Sequence, residues 1–231
     1  MKKGLVLFSG GIDSTTALYW AIKNFEQVTA LTFDYGQKHR IEIEMARKIA
    51  DKLKVNHKIL RIDLTQIGGS SLTDERIPLP QFEKIEEIRE GIPPTYIPFR
   101  NGIFLAMASA YAEVQGIKDI VCGFNVIDSP NYPDTRKEFV ELMEKAINAG
   151  TKASFENWKF KLHTPLIGMT KAEIIKYGLS LGADYSYSIS CYSGHEIPCG
   201  KCSSCVIRRE AWRTLGIKDH LIERLEKEGK I

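Results

Sequence analysis

The feature that most constrains this chain is a junction near its start. An apolar run, Gly4–Phe8, passes directly into Ser9-Gly10-Gly11-Ile12-Asp13-Ser14 and then into a helical pattern. A short apolar run followed at once by glycines reads as a buried parallel strand. Ala17, Leu18, Ala21, Ile22 and Phe25 then recur at 3.6-residue spacing, so a helix is expected over Ser14–Asn24. A glycine-rich loop between strand and helix is where an α/β fold binds phosphate. Glycines let the backbone approach, and the free N–H groups of the helix start face the anion. Ser9 and Ser14 add hydroxyl donors. A plain glycine turn is the competing account, and it leaves that agreement of position and residue type without a reason. Asp13 either caps the helix or serves a metal beside the phosphates.

The alternation continues along the chain. Strands are expected at Val28–Phe33, His57–Ile62 and Ile120–Phe124. Helices are expected where Ile41, Met45, Ala46, Ile49, Ala50 and Leu53 repeat, over Asn101–Val114, and over Arg136–Ala149 with Gly150 as the stop. Thr170-Lys171-Ala172-Glu173 is a capping box that starts another helix at Thr170. The pattern predicts an α/β domain over 1–185, a parallel sheet with helices on both faces. Residues 64–99 interrupt it with five of the nine prolines, an irregular insert of the kind that forms lids and substrate loops. Residues 186–231 form a small C-terminal segment, cysteine-rich and then helical.

Cys191, Cys199, Cys202 and Cys205 form C-x7-C-x2-C-x2-C. Cys-x-x-Cys turns deliver neighbouring thiolates and the longer loop returns the first, the pattern of a closed, structural tetrahedral Zn²⁺ site. A redox pair, incidental core thiols or an iron–sulfur cluster are the rival accounts, and no companion redox feature supports the last. His195 lies inside the loop, but four thiolates already make a closed set. Cys122, in a predicted strand, reads as a buried inert thiol, with a catalytic thiol as its rival. A net charge of +3, with bases scattered among acids, requires no nucleic-acid partner. No stretch approaches the roughly 18–20 apolar residues of a membrane span, so a cytoplasmic protein is expected.

The loop lacks the Gly-Lys-Ser/Thr ending of a kinase-type phosphate loop and the Gly-x-Gly-x-x-Gly of a dinucleotide site. It resembles the Ser-Gly-Gly-x-Asp-Ser pyrophosphate loop of the N-type ATP pyrophosphatases. That resemblance implies an adenine nucleotide alpha hydrolase-like fold, ATP with Mg²⁺, attack on the α-phosphorus and release of pyrophosphate. With the cysteines placed, the chain from Gly4 to about Trp212 resembles the 7-cyano-7-deazaguanine synthase family. The resemblance rests on FSGGIDSTTAL at 8–18, TFDYGQKHR at 32–40, IPFRN at 97–101, Asp128 with YPDTR ending at 136, PLIGMTKAEII at 165–175 and SCYSG…CGKCSSCVIR at 190–208. Two departures stand out: the family commonly has cysteine at the position of Thr135 and often glycine at that of Phe99.

The resemblance implies ATP-dependent conversion of 7-carboxy-7-deazaguanine and free ammonia to the nitrile, for queuosine or archaeosine precursor synthesis. It implies a homodimer. It places the nucleotide along Phe8, Ser9, Gly10, Gly11, Ile12, Asp13, Ser14, Thr15, Thr16, Ala17 and Leu18, and near Asp34 and Tyr35. Ser9, Asp13, Ser14 and Arg100 are the candidate catalytic residues. A guanine-like edge offers N–H donors that carboxylates accept in pairs, which nominates Asp128 and Asp134, with Tyr132 for stacking. Arg100 or Arg136 would neutralise the substrate carboxylate or the phosphates. Asp134 capping a helix and Arg136 lying on the surface are the plain alternatives, and Lys171 either reaches phosphate or is solvated. Two other functions compete: tRNA sulfur transfer, which needs a catalytic cysteine pair and a basic surface, and a non-catalytic nucleotide-binding regulator on the same fold.

Overall fold

A computed structural model describes residues 1–88, 91–127 and 131–231. The strands are β1 (Lys3–Leu7), β2 (Gln27–Asp34), β3 (Asn56–Arg61), β4 (Asp119–Cys122) and β5 (Lys161–His163). The helices are α1 (Ile12–Asn24), α2 (Ile41–Lys52), α3 (Arg100–Gln115), α4 (Lys137–Gly150), α5 (Lys171–Ser180), α6 (Ser203–Leu215) and α7 (His220–Lys227). The five strands form one parallel sheet in the order β3-β2-β1-β4-β5. The chain builds outward from β1 in one direction and then, through β4, in the other. The crevice between the carboxyl ends of β1 and β4 is therefore the switch point where open α/β sheets bind ligands.

Alternation along the strands fills two cores. Leu5, Leu31 and Ile120 pack with Leu105 and Ala108 of α3 and Val140 and Ile147 of α4. Val6, Ala30 and Val121 face the other way, onto Ala17 and Leu18 of α1, Ala46 and Ile49 of α2 and Ile174 of α5. A third apolar cluster joins Met45 to Ile189, to Cys191, Cys202 and Cys205, and to Leu221 and Leu225 of α7.

Three sequence expectations are corrected. Strand β5 is not foreseen, because Lys161-Leu162-His163 is three residues long with one apolar side chain, too little for any period to register. Helix α1 starts at Ile12 rather than Ser14, with Gly11 as N-cap and no side-chain cap. Gly150 does not stop α4. It is the last helical residue, and the chain turns out at the extended Thr151, whose hydroxyl donates to the Ile147 carbonyl at 2.7 Å. The proline-rich 64–99 stretch has one 3-10 turn, Ile85–Glu87, yet it is anchored. Leu64, Leu72 and Ile97 are buried in the core, the Phe82 N–H donates to the Lys201 carbonyl at 2.7 Å, and Arg209 Nη2 donates to the Glu83 carbonyl at 2.7 Å. Among the described residues, no helix is long and apolar enough to cross a membrane.

Candidate active site

The pyrophosphate loop closes on itself. Ser14 Oγ accepts the Ser9 N–H at 3.2 Å, lies 3.2 Å from Ser9 Oγ, and donates to the Gly11 carbonyl at 3.2 Å. Gly10 has φ +82°, and a Cβ there would meet backbone atoms of Ala46 and Glu42 at 3.1–3.2 Å. The loop is thus wedged against α2, and only glycine satisfies both demands. From the other side, the Ile189 N–H donates to the Gly10 carbonyl at 3.1 Å, tying the cysteine segment to the loop. With Gly11 as N-cap and no side chain capping it, the first N–H groups of α1 are available to an anion.

Gly123 is a position the sequence reading missed. A Cβ there would sit 2.8–2.9 Å from backbone atoms of Asp13 and Ser14. The end of β4 therefore lies directly against the loop, and a glycine inside the strand expected over Ile120–Phe124 was the available signal. Asp13 does not cap α1. Both its oxygens accept from Lys171 Nζ at 2.5 Å, which brings the first turn of α5 to the loop. Below, Thr16 Oγ1 and Tyr185 Oη lie 2.6 Å apart, and Gly178 leaves the space that the tyrosine oxygen occupies.

A cleft of about 1440 Å³ opens over this edge of the sheet. It is lined by Phe8, Ser9, Gly11–Ser14 and Lys171 on the loop side, and by Tyr35, His39, Glu42, Thr95, Arg100, Asn101, Phe104, Tyr132, Thr135 and Tyr192 on the facing side. Gln81, Phe82, Ile85, Ile88 and Ile92 of the insert form a further wall. Of the described cations lining the cleft, Lys171 is paired with Asp13, and Arg208 holds Asp219 through two bonds of 2.5 and 2.7 Å. Arg100 has no ion pair among the described residues: Nη1 donates to Tyr35 Oη at 3.3 Å, and its guanidinium lies over the rings of Tyr35 and Phe104. Burial opposes its charge, but Tyr35, Tyr192, Glu42 and Tyr132 around it more than offset that, so it remains firmly cationic. Burial pushes the Tyr35 hydroxyl well up, so it stays a neutral donor.

The remaining candidates fall in different places. Asp134 is 3% exposed, and its Oδ2 accepts the Asn101 N–H at 2.9 Å, fixing the first turn of α3. Its Oδ1 has no partner among the described residues. Tyr132 Oη lies 2.8 Å from Thr95 Oγ1. Arg136 is the N-cap residue of α4, and none of Asp134, Arg136 and Asp34 lines the cleft. Asp34 instead accepts from Arg40 at 2.8 Å, with Arg61 at 3.9 Å. Asp128 lies outside the described residues. Phe99 takes φ +52°, a left-handed conformation that glycine adopts without strain, which accounts for the glycine expected there.

The four clustered cysteines converge: their sulfur atoms all lie within 4.8 Å of one another, and Cys191, Cys202 and Cys205 are buried. Tetrahedral zinc with bonds of about 2.3 Å separates its sulfurs by about 3.8 Å, so the donor set fits a closed site. Cys122 is fully buried, and burial pushes its thiol far above the range of a reactive cysteine.

Comparison with known proteins now decides the family. The profile described as "Queuosine biosynthesis protein QueC" matches residues 3–216. The chain belongs to this family. It is 43% identical to the 7-cyano-7-deazaguanine synthase of Saccharophagus degradans, over 94% of this chain and 96% of that one. It is 44% identical to the enzyme of the same name from Clostridium kluyveri, over 98% of this chain and all of that one. Among solved structures, a 4-thiouridine synthetase–RNA complex with bound ATP is similar, with a TM-score of 0.51 and 21% identity. That likeness covers 99% of this chain and 53% of the other, and it bears on the fold alone. The one cysteine outside the cluster, Cys122, is fully buried.

Proposed function

We propose that this QueC chain makes the nitrile of 7-deazaguanine from the 7-carboxylic acid, ammonia and two ATP. ATP first adenylates the carboxylate, and ammonia displaces AMP to give the amide. A second ATP then adenylates the amide oxygen, whose departure leaves the C≡N group. The observation that carries this reading is a cleft with anion-binding loop and unpaired arginine on opposite walls. The loop between β1 and α1 together with the first turns of α1, residues 8–18, takes the ATP phosphates, with Ser9, Ser14 and the α1 N–H groups as donors. Asp13 and Lys171 serve there as a pair. Mg²⁺ accompanies the phosphates and offsets their charge.

Arg100, bound to no carboxylate among the described residues, receives the substrate's carboxylate and turns it towards the loop. The base lies against Tyr132 and Phe104, with Asp128 and Asp134 as acceptors for its N–H edge. Asp134 is not itself part of the cleft lining but lies between Tyr132 and Thr135, which are, and its buried Oδ1 has no partner among the described residues. Arg136 stands outside the cleft lining and is assigned to the rim. The four cysteines hold one Zn²⁺, whose contribution is structural, because four thiolates leave no coordination position open. Residues 1–185 carry the chemistry, residues 186–231 brace it, and the protein works in the cytoplasm.

The test is direct. Pure protein with ATP, Mg²⁺, ammonium and the deazaguanine acid should give the nitrile by mass spectrometry, with AMP and pyrophosphate as nucleotide products. Ser9→Ala should lower turnover by at least about tenfold while leaving the fold intact. Stoichiometric ADP without AMP would overturn the adenylate route.

A further inference from the structure

The cleft contains an anion that neither ATP nor the deazaguanine acid explains. Of the described carboxylates lining it, Asp13 is taken through both oxygens by Lys171, and Glu87 belongs to the insert. Glu42, in the first turn of α2, stands beside the pyrophosphate loop: its backbone oxygen is one of the atoms that exclude a side chain at Gly10. A carboxylate next to a polyphosphate site is repelled by that ligand unless a cation sits between them.

Glu42 is also held in place deliberately. Gln37, 1% exposed, donates from Nε2 to Glu42 Oε1 at 2.8 Å and to the Phe33 carbonyl at 3.2 Å, while its Oε1 accepts the Tyr35 N–H at 2.8 Å. On the other oxygen, His39 Nε2 lies 3.4 Å from Glu42 Oε2. His39 lines the same cleft, is 4% exposed, and its Nδ1 has no partner among the described residues. Around this dyad stand Tyr35 from the connection after β2, Arg100 from α3, and Tyr192, whose ring centroid is 5.6 Å from that of His39.

We propose that Glu42 is the ammonium-binding residue and proton acceptor of the amidation step, with His39 positioning it and opening a path for the proton. This rests on the function proposed above. Near neutral pH, dissolved ammonia is almost entirely ammonium, which has no lone pair, so the site must hold a cation and remove a proton. Ammonium gives one proton to the Glu42 carboxylate. The freed lone pair forms the C–N bond to the acyl carbon, and the C–O bond to the adenylate breaks with its electron pair leaving on AMP. The nitrogen's second proton is lost to water in the cleft as the amide forms. Arg100, whose charge interacts with Glu42, sets the acyl group near it. The substrate of this subsite is thus a small monovalent cation with N–H donors.

The experiment uses the whole protein and separates the half-reactions. Acid-dependent exchange of labelled pyrophosphate into ATP needs no ammonia, whereas amide formation is followed against ammonium chloride. If the wild type shows no exchange, the proposed function fails whatever Glu42 does. Glu42→Gln, which keeps the contact with Gln37, should exchange within about twofold of wild type and lose about 100-fold in kcat/KM for ammonium near neutral pH. That deficit should shrink about two pH units higher, where free ammonia is abundant and no acceptor is needed. Parallel loss of exchange, an unchanged ammonium dependence, or rescue by added Mg²⁺ would overturn the assignment, the last by making Glu42 a divalent-cation ligand. If Glu42→Gln does not fold, His39→Gln serves instead: it should show the same split at smaller amplitude, and the absence of a split would equally overturn the proposal.

Discussion

The two walls of the cleft are built by opposite strategies. The loop wall is, Lys171 apart, one unbroken stretch, Ser9–Ser14, with three hydrogen bonds that close within six residues. The facing wall is assembled from Tyr35–Glu42, Thr95–Phe104, Tyr132–Thr135 and Tyr192, with no two consecutive parts adjacent in sequence. A contiguous site announces its chemistry in residue order, and its geometry follows from a strand, a glycine and a helix start. A convergent site depends on how distant segments are held, so perturbing its supports should matter as much as perturbing its members.

The cysteine segment braces both walls, through the Ile189–Gly10 bond on one side and Tyr192 on the other. Its loss should therefore have the largest effect and erase the distinction between the walls. We expect close to one zinc per chain, and Cys202→Ala, at a fully buried site, should lower stability by on the order of 5 kcal/mol. Elemental analysis and denaturant titration test this. A metal-free preparation that is folded and fully active would break the link between brace and walls.

Gly123→Ala isolates the loop wall. The new Cβ meets backbone of Asp13 and Ser14 at 2.8–2.9 Å, and backbone cannot rotate aside as a side chain would. We expect a cost of about 3 kcal/mol and a fall in ATP use of more than about tenfold. Wild-type exchange kinetics in this variant would show that the loop tolerates displacement, against the rigid frame described here.

These two positions also mark how far the sequence could be read. Four strands, the phosphate loop, the capping box at Thr170 and the four cysteines were legible because each signals within 15 residues or fewer. Strand β5 was not, since three residues with one apolar side chain carry no period. The Asp13–Lys171 pair, 158 positions apart, was not, because long-range pairing leaves no local pattern. His39 and Glu42 are only three positions apart, but nothing local shows that their turn faces the cleft. Asp134 was legible as a candidate, but its bond to α3 came from folding alone.

Asp134→Asn perturbs the facing wall only. Oδ2 accepts the Asn101 N–H at the start of α3, next to Arg100, so a charge-assisted bond at a helix N-terminus is replaced by a neutral one. The amide also brings a buried donor to the position of the unpartnered Oδ1. A stability loss of about 1–2 kcal/mol is expected, with a raised KM for the acid and an ATP KM close to wild type. If ATP and acid kinetics shift together, the walls are coupled more tightly than their construction implies.

The smallest effect returns to the loop wall, from below. Thr32 Oγ1 donates to the Phe8 carbonyl at 2.6 Å, and His57 Nε2 lies 2.8 Å from the same hydroxyl, so a chain of polar contacts runs from β3 to the residue preceding Ser9. Because the threonine proton is committed to Phe8, His57 must supply the N–H, which it does in its neutral Nε2–H form. Burial lowers the His57 pKa, and Arg47 adds to that while Asp51 opposes it. The folded protein therefore takes up this proton less readily than the unfolded chain, whose histidine titrates near about 6.5. The contribution is fully present above about pH 6.5 and is lost as pH falls through the lower folded value. The urea midpoint should thus decline from about pH 7 to about pH 5 more steeply in the wild type than in His57→Gln, since the carboxylates common to both proteins contribute equally. Superimposable profiles would mean that the loop wall draws nothing from β3 and is as self-contained energetically as it is in sequence.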